Sequence, residues 1–344
     1  MKALVKYAAG EGNMEIRDIP EPSPGEKEVK IKVMAAGICG SDKHIYHGDI
    51  AIPMNPPFVV GHELSGLVAE TGPGVTQCGV GDRVTAENSH TVCGHCRYCR
   101  SGNYNLCPDR LATGYAFDGA FAAYCVVPES RVHNLPDNVD FHTGALSDPS
   151  ACVYHAVQEL TGVRAGDVVL VTGPGPMGLF SVQYAKANGA VVIITGTSAD
   201  KSRLAMARQL GADLSITVDS EDVGERIASV TGSREVDVCL ECSGNASAAR
   251  MGLELLRKQG KYTQIGIFGK PVSIDLDLLV YKEIQATGSF SQKYSAWKEA
   301  IRLASLGKIK VKPLISHVLP LDAWEDGFRM FESGEAVKVV FDPL

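Results

Sequence analysis

Apolar and polar residues alternate with a period of two through most of Met1-Lys-Ala-Leu-Val-Lys-Tyr7 and Glu28-Val-Lys-Ile-Lys-Val33. That is the pattern of half-buried antiparallel strands. Pro20, Pro22, Pro24 and Gly25 punctuate the stretch between them, and the alternation resumes over Leu64–Glu70 and Arg83–Ala86, with Gly72, Gly74, Gly79 and Gly81 at the turns. Short strands joined by glycine-rich turns predict a small barrel or sandwich. From about residue 150 the pattern changes. Val168–Thr172 is a nearly unbroken apolar run, as in a strand covered on both faces of a parallel sheet. It leads into Gly173-Pro-Gly-Pro-Met-Gly178 and a helical stretch, Leu179–Asn188. Strands at Val191–Thr195, Val236–Glu241 and Tyr262–Ile267, with a helix at Lys201–Leu210, continue the alternation and predict an α/β unit with a doubly wound parallel sheet. After about residue 290 the chain returns to the first domain: an amphipathic helix over Tyr294–Leu306, a second carrying Trp324, Phe328 and Phe331 at core spacing, and a closing strand, Val337–Phe341. The expected domains are 1–150 with 290–344, and 151–289.

At 344 residues the chain exceeds one ordinary core, so two domains are expected. A content of 45% hydrophobic and 21% charged residues is that of a soluble globular protein. The net charge of -7 argues against nucleic acid or an anionic membrane as partner. No apolar run approaches the ~18 residues that span a bilayer. Lys2, Lys6 and Glu11 stand where a signal peptide would carry its apolar core, so a cytoplasmic location is expected.

The cysteines change the picture, because they are unevenly placed. Of ten, Cys93, Cys96, Cys99 and Cys107 form a C-x2-C-x2-C-x7-C cluster in a lobe of about residues 90–110. Four thiolates so close can complete a tetrahedron around a structural zinc; an iron–sulfur cluster also takes four cysteines at short spacing. A second grouping lies earlier. Gly37-Ile-Cys-Gly-Ser-Asp-Lys-His44 brings a thiol (Cys39), a hydroxyl (Ser41) and an imidazole (His44) within six residues, and His62-Glu63 follows behind Gly61. Cysteine, histidine and glutamate supply the sulfur, nitrogen and oxygen ligands of a zinc site with a position left open.

The glycine motif has the context that gives it meaning, after a strand and opening a helix. Gly173 permits the tight turn, Gly175 lets backbone approach a pyrophosphate, and Gly178 allows close helix–strand packing. Pro176 and Met177 open the helix whose N-terminus favours phosphate. The next strand should end in an acid for the ribose hydroxyls of NAD. Instead Gly196, Thr197 and Ser198 stand there, with no carboxylate before Asp200, and Lys201 and Arg203 are near enough to attract a 2′-phosphate. NAD and NADP both remain open.

Taken together, Gly61-His-Glu-Leu-Ser-Gly66 running on to Gly72 and Val75, the four-cysteine lobe and Gly37–Asp42 resemble the zinc-containing medium-chain alcohol and polyol dehydrogenases over essentially the whole chain. The resemblance implies a GroES-like β-barrel catalytic domain and a Rossmann cofactor domain, with the active site in the cleft between them. It makes Cys39 and His62 ligands of a catalytic zinc, with Glu63 bound directly or through water. It makes Ser41 the hydroxyl beside the substrate oxygen and His44 the relay to solvent, and it assigns zinc to Cys93, Cys96, Cys99 and Cys107. Polyol enzymes carry a further glutamate before a proline; the matching residue is Asp148, one methylene shorter, with Cys152 one turn on. Where such enzymes often have a substrate-binding arginine, near Gly288–Ser291, this chain has serine. Glu241-Cys-Ser-Gly244 resembles the family's cofactor-side loop and Lys282-Glu283 its later sheet region. A homodimer or homotetramer is implied.

The expected chemistry is hydride transfer between a secondary alcohol or polyol and NAD(P), giving a ketone. Zinc polarises the alcohol, Ser41 takes the hydroxyl proton towards His44, and the carbinol carbon gives up hydride. Threonine, butanediol or sugar-phosphate oxidation by the same machinery is an alternative. A cofactor- or zinc-binding protein without catalysis is another, opposed by the joint presence of Cys39, Ser41, His44, His62 and Glu63.

Overall fold

The computed structural model describes residues 1–343 apart from 50, 51 and 53. The chain divides into two compact units. One comprises Met1–Asp148, Lys293–Ser305 and the chain from Val311 onwards; the other comprises Pro149–Gln292 and Leu306–Lys310.

In the first unit the sheet runs in the order Ile315–Pro320, Lys338–Asp342, Glu28–Gly37, Glu63–Thr71, Arg83–Ala86, Val132–Asn134, and Tyr124–Pro128 also pairs with Glu28–Gly37. A three-stranded sheet holds Lys2–Lys6 between Met14–Asp18 and Phe58–Val59. The alternating apolar positions of these strands bury Leu4, Val29, Ile31, Val33, Val68, Val84 and Phe341 in one core. Each such side chain contributes about 1.5–3 kcal/mol of burial. Trp324 and Phe328 join that core, with Phe331 partly buried against it, all on the helix Trp324–Glu332. Glu28–Gly37 is the central strand, and its register fixes the site. Gly37 lies opposite Glu63 on one side and Val340 on the other. Directly after it the chain turns into the helix Gly40–His47, capped by Cys39 at its start; Gly48, in the left-handed region at φ 70, ends it.

The second unit is a six-stranded parallel sheet in the order Leu214–Thr217, Val191–Gly196, Val168–Thr172, Val236–Glu241, Leu256–Gln264, Gln285–Gly288. The first three βα units wind one way from Val168–Thr172 and the rest wind the other, which is the doubly wound α/β topology. Two local expectations are corrected. The fifth strand begins at Leu256, whose side chain is buried, and stops at Gln264 instead of running through Ile267. A side chain at Gly266 would collide with the backbone of Gly244, so the chain bends there to pack two loops together. Lys282 and Glu283 are not sheet residues. Lys282 ends the helix Asp277–Lys282, its ammonium bound by the carbonyls of Glu254 and Leu256 at 2.6 and 2.7 Å, and Glu283 caps that helix with φ 49. Among the described residues, no helix is long and apolar enough to cross a membrane.

Candidate active site and cofactor loop

Three of the side chains picked out in the sequence converge. One ligand atom each from Cys39, His62 and Glu63 lie within 4.8 Å of one another. Cys39 comes from the start of the helix Gly40–His47 and Glu63 from the neighbouring strand, opposite Gly37. Gly37 must be glycine for this approach, because a Cβ there would overlap the Glu63 carboxylate. His62 and Glu63 are buried.

The chemistry of this donor set fits a divalent cation. His62 Nδ1 and Asp42 Oδ1 are buried, 3.5 Å apart, and neither has a hydrogen-bond partner among the described residues. Burial alone would lower the His62 pKa, yet the electrostatic influence of Tyr115, Asp42 and Cys39 around the ring outweighs it and raises it well above the usual value. The pocket therefore has an excess of negative character. Glu63 is compensated by Lys338, a fully buried lysine whose ammonium reaches the two carboxylate oxygens at 2.7 and 2.5 Å and the Ile38 carbonyl at 2.5 Å. Cys39, His62 and Glu63 offer sulfur, nitrogen and oxygen, the ligand types a zinc ion takes, and the cysteine would give up its proton on binding the metal.

Asp148 lies in the first turn of the helix Ser147–Tyr154, outside the 4.8 Å set. It shares the pocket's field: burial pushes its carboxyl up to about 7, His62 and Lys338 oppose the shift, and Glu63 adds to it. Cys152 donates to Gln292 Oε1 at 3.1 Å and is likewise outside the set. Ser41 Oγ accepts a 2.6 Å hydrogen bond from the Tyr115 hydroxyl, whose ring lies 5.2 Å from the His62 ring. His44, one turn along the same helix, pairs with Asp49 at 2.9 Å and is partly exposed. Asp42, Tyr115 and Lys338 were not singled out from sequence. Only Asp42 left a signal there: an acid three residues after the cap, where it accepts the Cys39 N–H at 2.9 Å.

The four cysteines also meet, with sulfurs within 4.8 Å of one another. The Cys93 and Cys99 sulfurs are 3.9 Å apart, against about 3.8 Å for a tetrahedron with ~2.3 Å zinc–sulfur bonds. Backbone N–H groups of Cys93, Cys96 and Cys99 point at sulfurs of the cluster from 3.3–3.4 Å. That of Cys99 brings the Cys96 thiol down to about 7, while burial pushes Cys99 up to about 12. His95 is exposed and faces the Cys93 carbonyl. Tyr104, just before Cys107, anchors the lobe by donating to both oxygens of buried Glu87 at 2.9 and 2.7 Å.

In the second unit the glycine loop is held from below. Gly173 has φ +87, and a Cβ there would press against Ser243; one at Gly178 would overlap the Gly173 carbonyl; Gly175 faces open space. Fully buried Glu241 gathers Thr172 Oγ1, the N–H groups of Ser243 and Gly244, the Ser243 hydroxyl and Gln264 Nε2, so three strand ends are tied to one carboxylate. Pro176 opens the following helix, and no side chain caps it. The first-turn N–H groups, those of Met177 and Gly178 among them, have no intrahelical acceptor. Thr197 and Ser198 follow the second strand, and Lys201 and Arg203 begin the helix Lys201–Gln209.

Residues 25–137 match the alcohol dehydrogenase GroES-like domain and residues 176–305 the zinc-binding dehydrogenases. The chain is 43% identical to a sorbitol dehydrogenase of Halalkalibacterium halodurans over 345 aligned positions, 100% of both chains. It is 38% identical to D-arabitol-phosphate dehydrogenase of Enterococcus avium, covering 99% of this chain and 97% of that one. Its fold superposes with a TM-score of 0.91 on a zinc-binding dehydrogenase of Sinorhizobium meliloti solved with NADP, at 32% identity and 99% coverage of each chain. The chain belongs to the zinc-binding medium-chain dehydrogenases, a family of oxidoreductases joining a GroES-like domain to a Rossmann domain.

Proposed function

We propose that this protein is an NAD(P)-dependent zinc dehydrogenase that oxidises a secondary alcohol or polyol to the ketone, and reduces the ketone in reverse. The observation that carries the reading is the convergence of Cys39, His62 and Glu63, with Ser41 joined to the group through Tyr115, which packs against His62. Cys39 and His62 would hold the catalytic metal, with the acidic oxygen coming from Glu63 or from Asp148, and Cys93, Cys96, Cys99 and Cys107 would hold a structural one. Zinc supplies Lewis acidity towards the alcohol oxygen, and the nicotinamide cofactor supplies the hydride acceptor.

The remaining work falls to this chain's own residues. Asp42, with Oδ1 3.5 Å from His62 Nδ1, would draw that ring nitrogen into a hydrogen bond once the ring holds the metal. Lys338 holds Glu63 as an ion pair, so that its charge is spent within the protein. Ser41, steadied by the Tyr115 hydroxyl, has its own proton free to move outward as it takes the substrate proton. No hydrogen bond joins Ser41 to His44 among the described residues, so a hydroxyl or water would bridge them. His44 then releases the proton to solvent, its ring oriented by Asp49, whose carboxyl the His44 hydrogen bond holds below the usual range. Gly173, Gly175, Pro176, Met177 and Gly178 would cradle the pyrophosphate, and Thr197, Ser198, Lys201 and Arg203 would flank the adenosine ribose.

The catalytic role thus belongs to the first unit and cofactor binding to the second. We place the enzyme in the cytoplasm as a homodimer or homotetramer. The edge strand Gln285–Gly288 and the exposed Leu276, Val280 and Tyr281 support a second copy as the cover for that surface. A panel of polyols, secondary alcohols, threonine, butanediol and sugar phosphates, run with both cofactors, tests the reading. Reduction of cofactor with at least one polyol or secondary alcohol is expected; turnover of threonine alone would redirect the substrate, and no turnover would refute the activity.

A further inference from the structure

A dinucleotide bound at the glycine loop presents its adenosine ribose to the end of the second strand, as a 2′-hydroxyl in NAD or a 2′-phosphate in NADP. The residues that follow that strand carry no acid before Asp200. The fold brings one from the neighbouring strand. Val191–Gly196 and Leu214–Thr217 pair in parallel with Gly196 opposite Thr217. Two residues further along each chain, Asp219 meets Ser198 and accepts its N–H with both carboxylate oxygens, at 3.0 and 3.1 Å. One residue earlier, the N–H and hydroxyl of Thr197 both donate to Asp200 Oδ2, at 2.9 and 2.8 Å. This cluster borders the glycine loop: a Cβ on Gly196 would come within 2.9 Å of Pro174 and 3.1 Å of Asp200.

The backbone donors of Thr197 and Ser198, which an incoming anion would seek, are therefore occupied by the chain's own carboxylates. The Ser198 hydrogen bonds keep the Asp219 carboxyl below its usual range, so it is an anion at neutral pH. The nearby cations face these carboxylates: Arg203 lies 3.9 Å from Asp200, and the charge of Lys201 acts on Asp219. A ribose hydroxyl can donate to these carboxylates without disturbing the balance. A 2′-phosphate brings roughly two further negative charges and has to expel Asp219 from the Ser198 N–H.

We propose that Asp219, reaching across from the neighbouring strand, makes this enzyme select NAD over NADP, an inference that rests on the dinucleotide-binding reading. The test is the dissociation constant of each cofactor, by protein-fluorescence titration, for the full-length protein and for Asp219→Asn, a substitution at an exposed position. The wild type should bind NAD at least about tenfold tighter than NADP, and Asp219→Asn should narrow that ratio by roughly tenfold, chiefly through tighter NADP binding. Equal or tighter NADP binding by the wild type overturns the inference, and so does an unchanged ratio in the variant. Binding of neither cofactor overturns the dinucleotide reading along with it, and differs visibly from a mere loss of selectivity. Should Asp219→Asn fail to fold, Asp219→Ser is titrated in its place, with the same narrowing of the ratio expected and an unchanged ratio overturning the inference.

Discussion

Lys338 is the residue on which the charge balance of the active site turns. Its ammonium is fully buried and compensates Glu63 at hydrogen-bond distance. Removing one partner of such a pair leaves a buried charge alone, at a cost of about 3–5 kcal/mol. Lys338→Met should therefore lower the unfolding free energy by that amount, seen as a lower denaturant midpoint, and adding Glu63→Gln should recover part of it; an unchanged midpoint would mean that Glu63 is neutral or hydrated. His90 offers a test through pH. It is buried, stacked on Phe117 with ring centroids 3.8 Å apart, and burial brings its pKa from 6.5 down to about 4. Between these values the unfolded chain binds a proton that the folded chain refuses. Stability should then fall as pH drops through the window from 6.5 to 4, by up to about 3 kcal/mol from this group. In His90→Gln, denaturation at the two ends of that window should show a shallower loss; an identical slope would place the acid sensitivity elsewhere. Cys39, His62, Glu63 and the four cysteines were legible in the sequence because their types and short spacings carry the chemistry. Lys338, Tyr115 and Asp219 were not. Each reaches its place through the packing or pairing of segments distant in sequence: Lys338 meets Glu63 across the strand that ends at Gly37, and no local spacing encodes that register.

At the level of elements, the glycine loop separates two roles that sequence alone assigns together. Gly178 and Gly173 are packed from within, whereas Gly175 faces open space where a ligand's backbone approach is needed. Gly178→Ala should lower the melting temperature. Gly175→Ala should leave it unchanged and weaken cofactor binding by about tenfold, roughly the cost of one methyl between backbone and phosphate. Thermal melts and cofactor titrations of the two variants check this, and an unimpaired Gly175→Ala would show that the loop does not touch the cofactor. Strands and helices with a clear period, Arg83–Ala86, Val168–Thr172 and Val236–Glu241 among them, stand where the apolar pattern put them. The pattern failed where tertiary packing overrides it. The strand Leu256–Gln264 runs through exposed polar residues that carry no period, and Lys282 ends a helix because backbone carbonyls bind its ammonium.

For the molecule as a whole, the two-part architecture was readable from one change of period near residue 150. The return of the chain to the first unit was readable from the amphipathic helix that begins at Tyr294. Less legible was the short segment Leu306–Lys310, which belongs with the second unit through reciprocal hydrogen bonds between Lys310 and Gln183. The central claim is that the metal held with Cys39 carries the reaction, while the cysteine lobe holds a separate metal for structure. Zinc content and turnover, measured together on the wild type and on Cys39→Ser, test it most directly. The wild type should hold about two zinc ions per chain and reduce cofactor with a polyol or secondary alcohol; Cys39→Ser should keep about one zinc, remain folded and lose turnover. A Cys39→Ser protein that retains both metals and full activity would contradict the account.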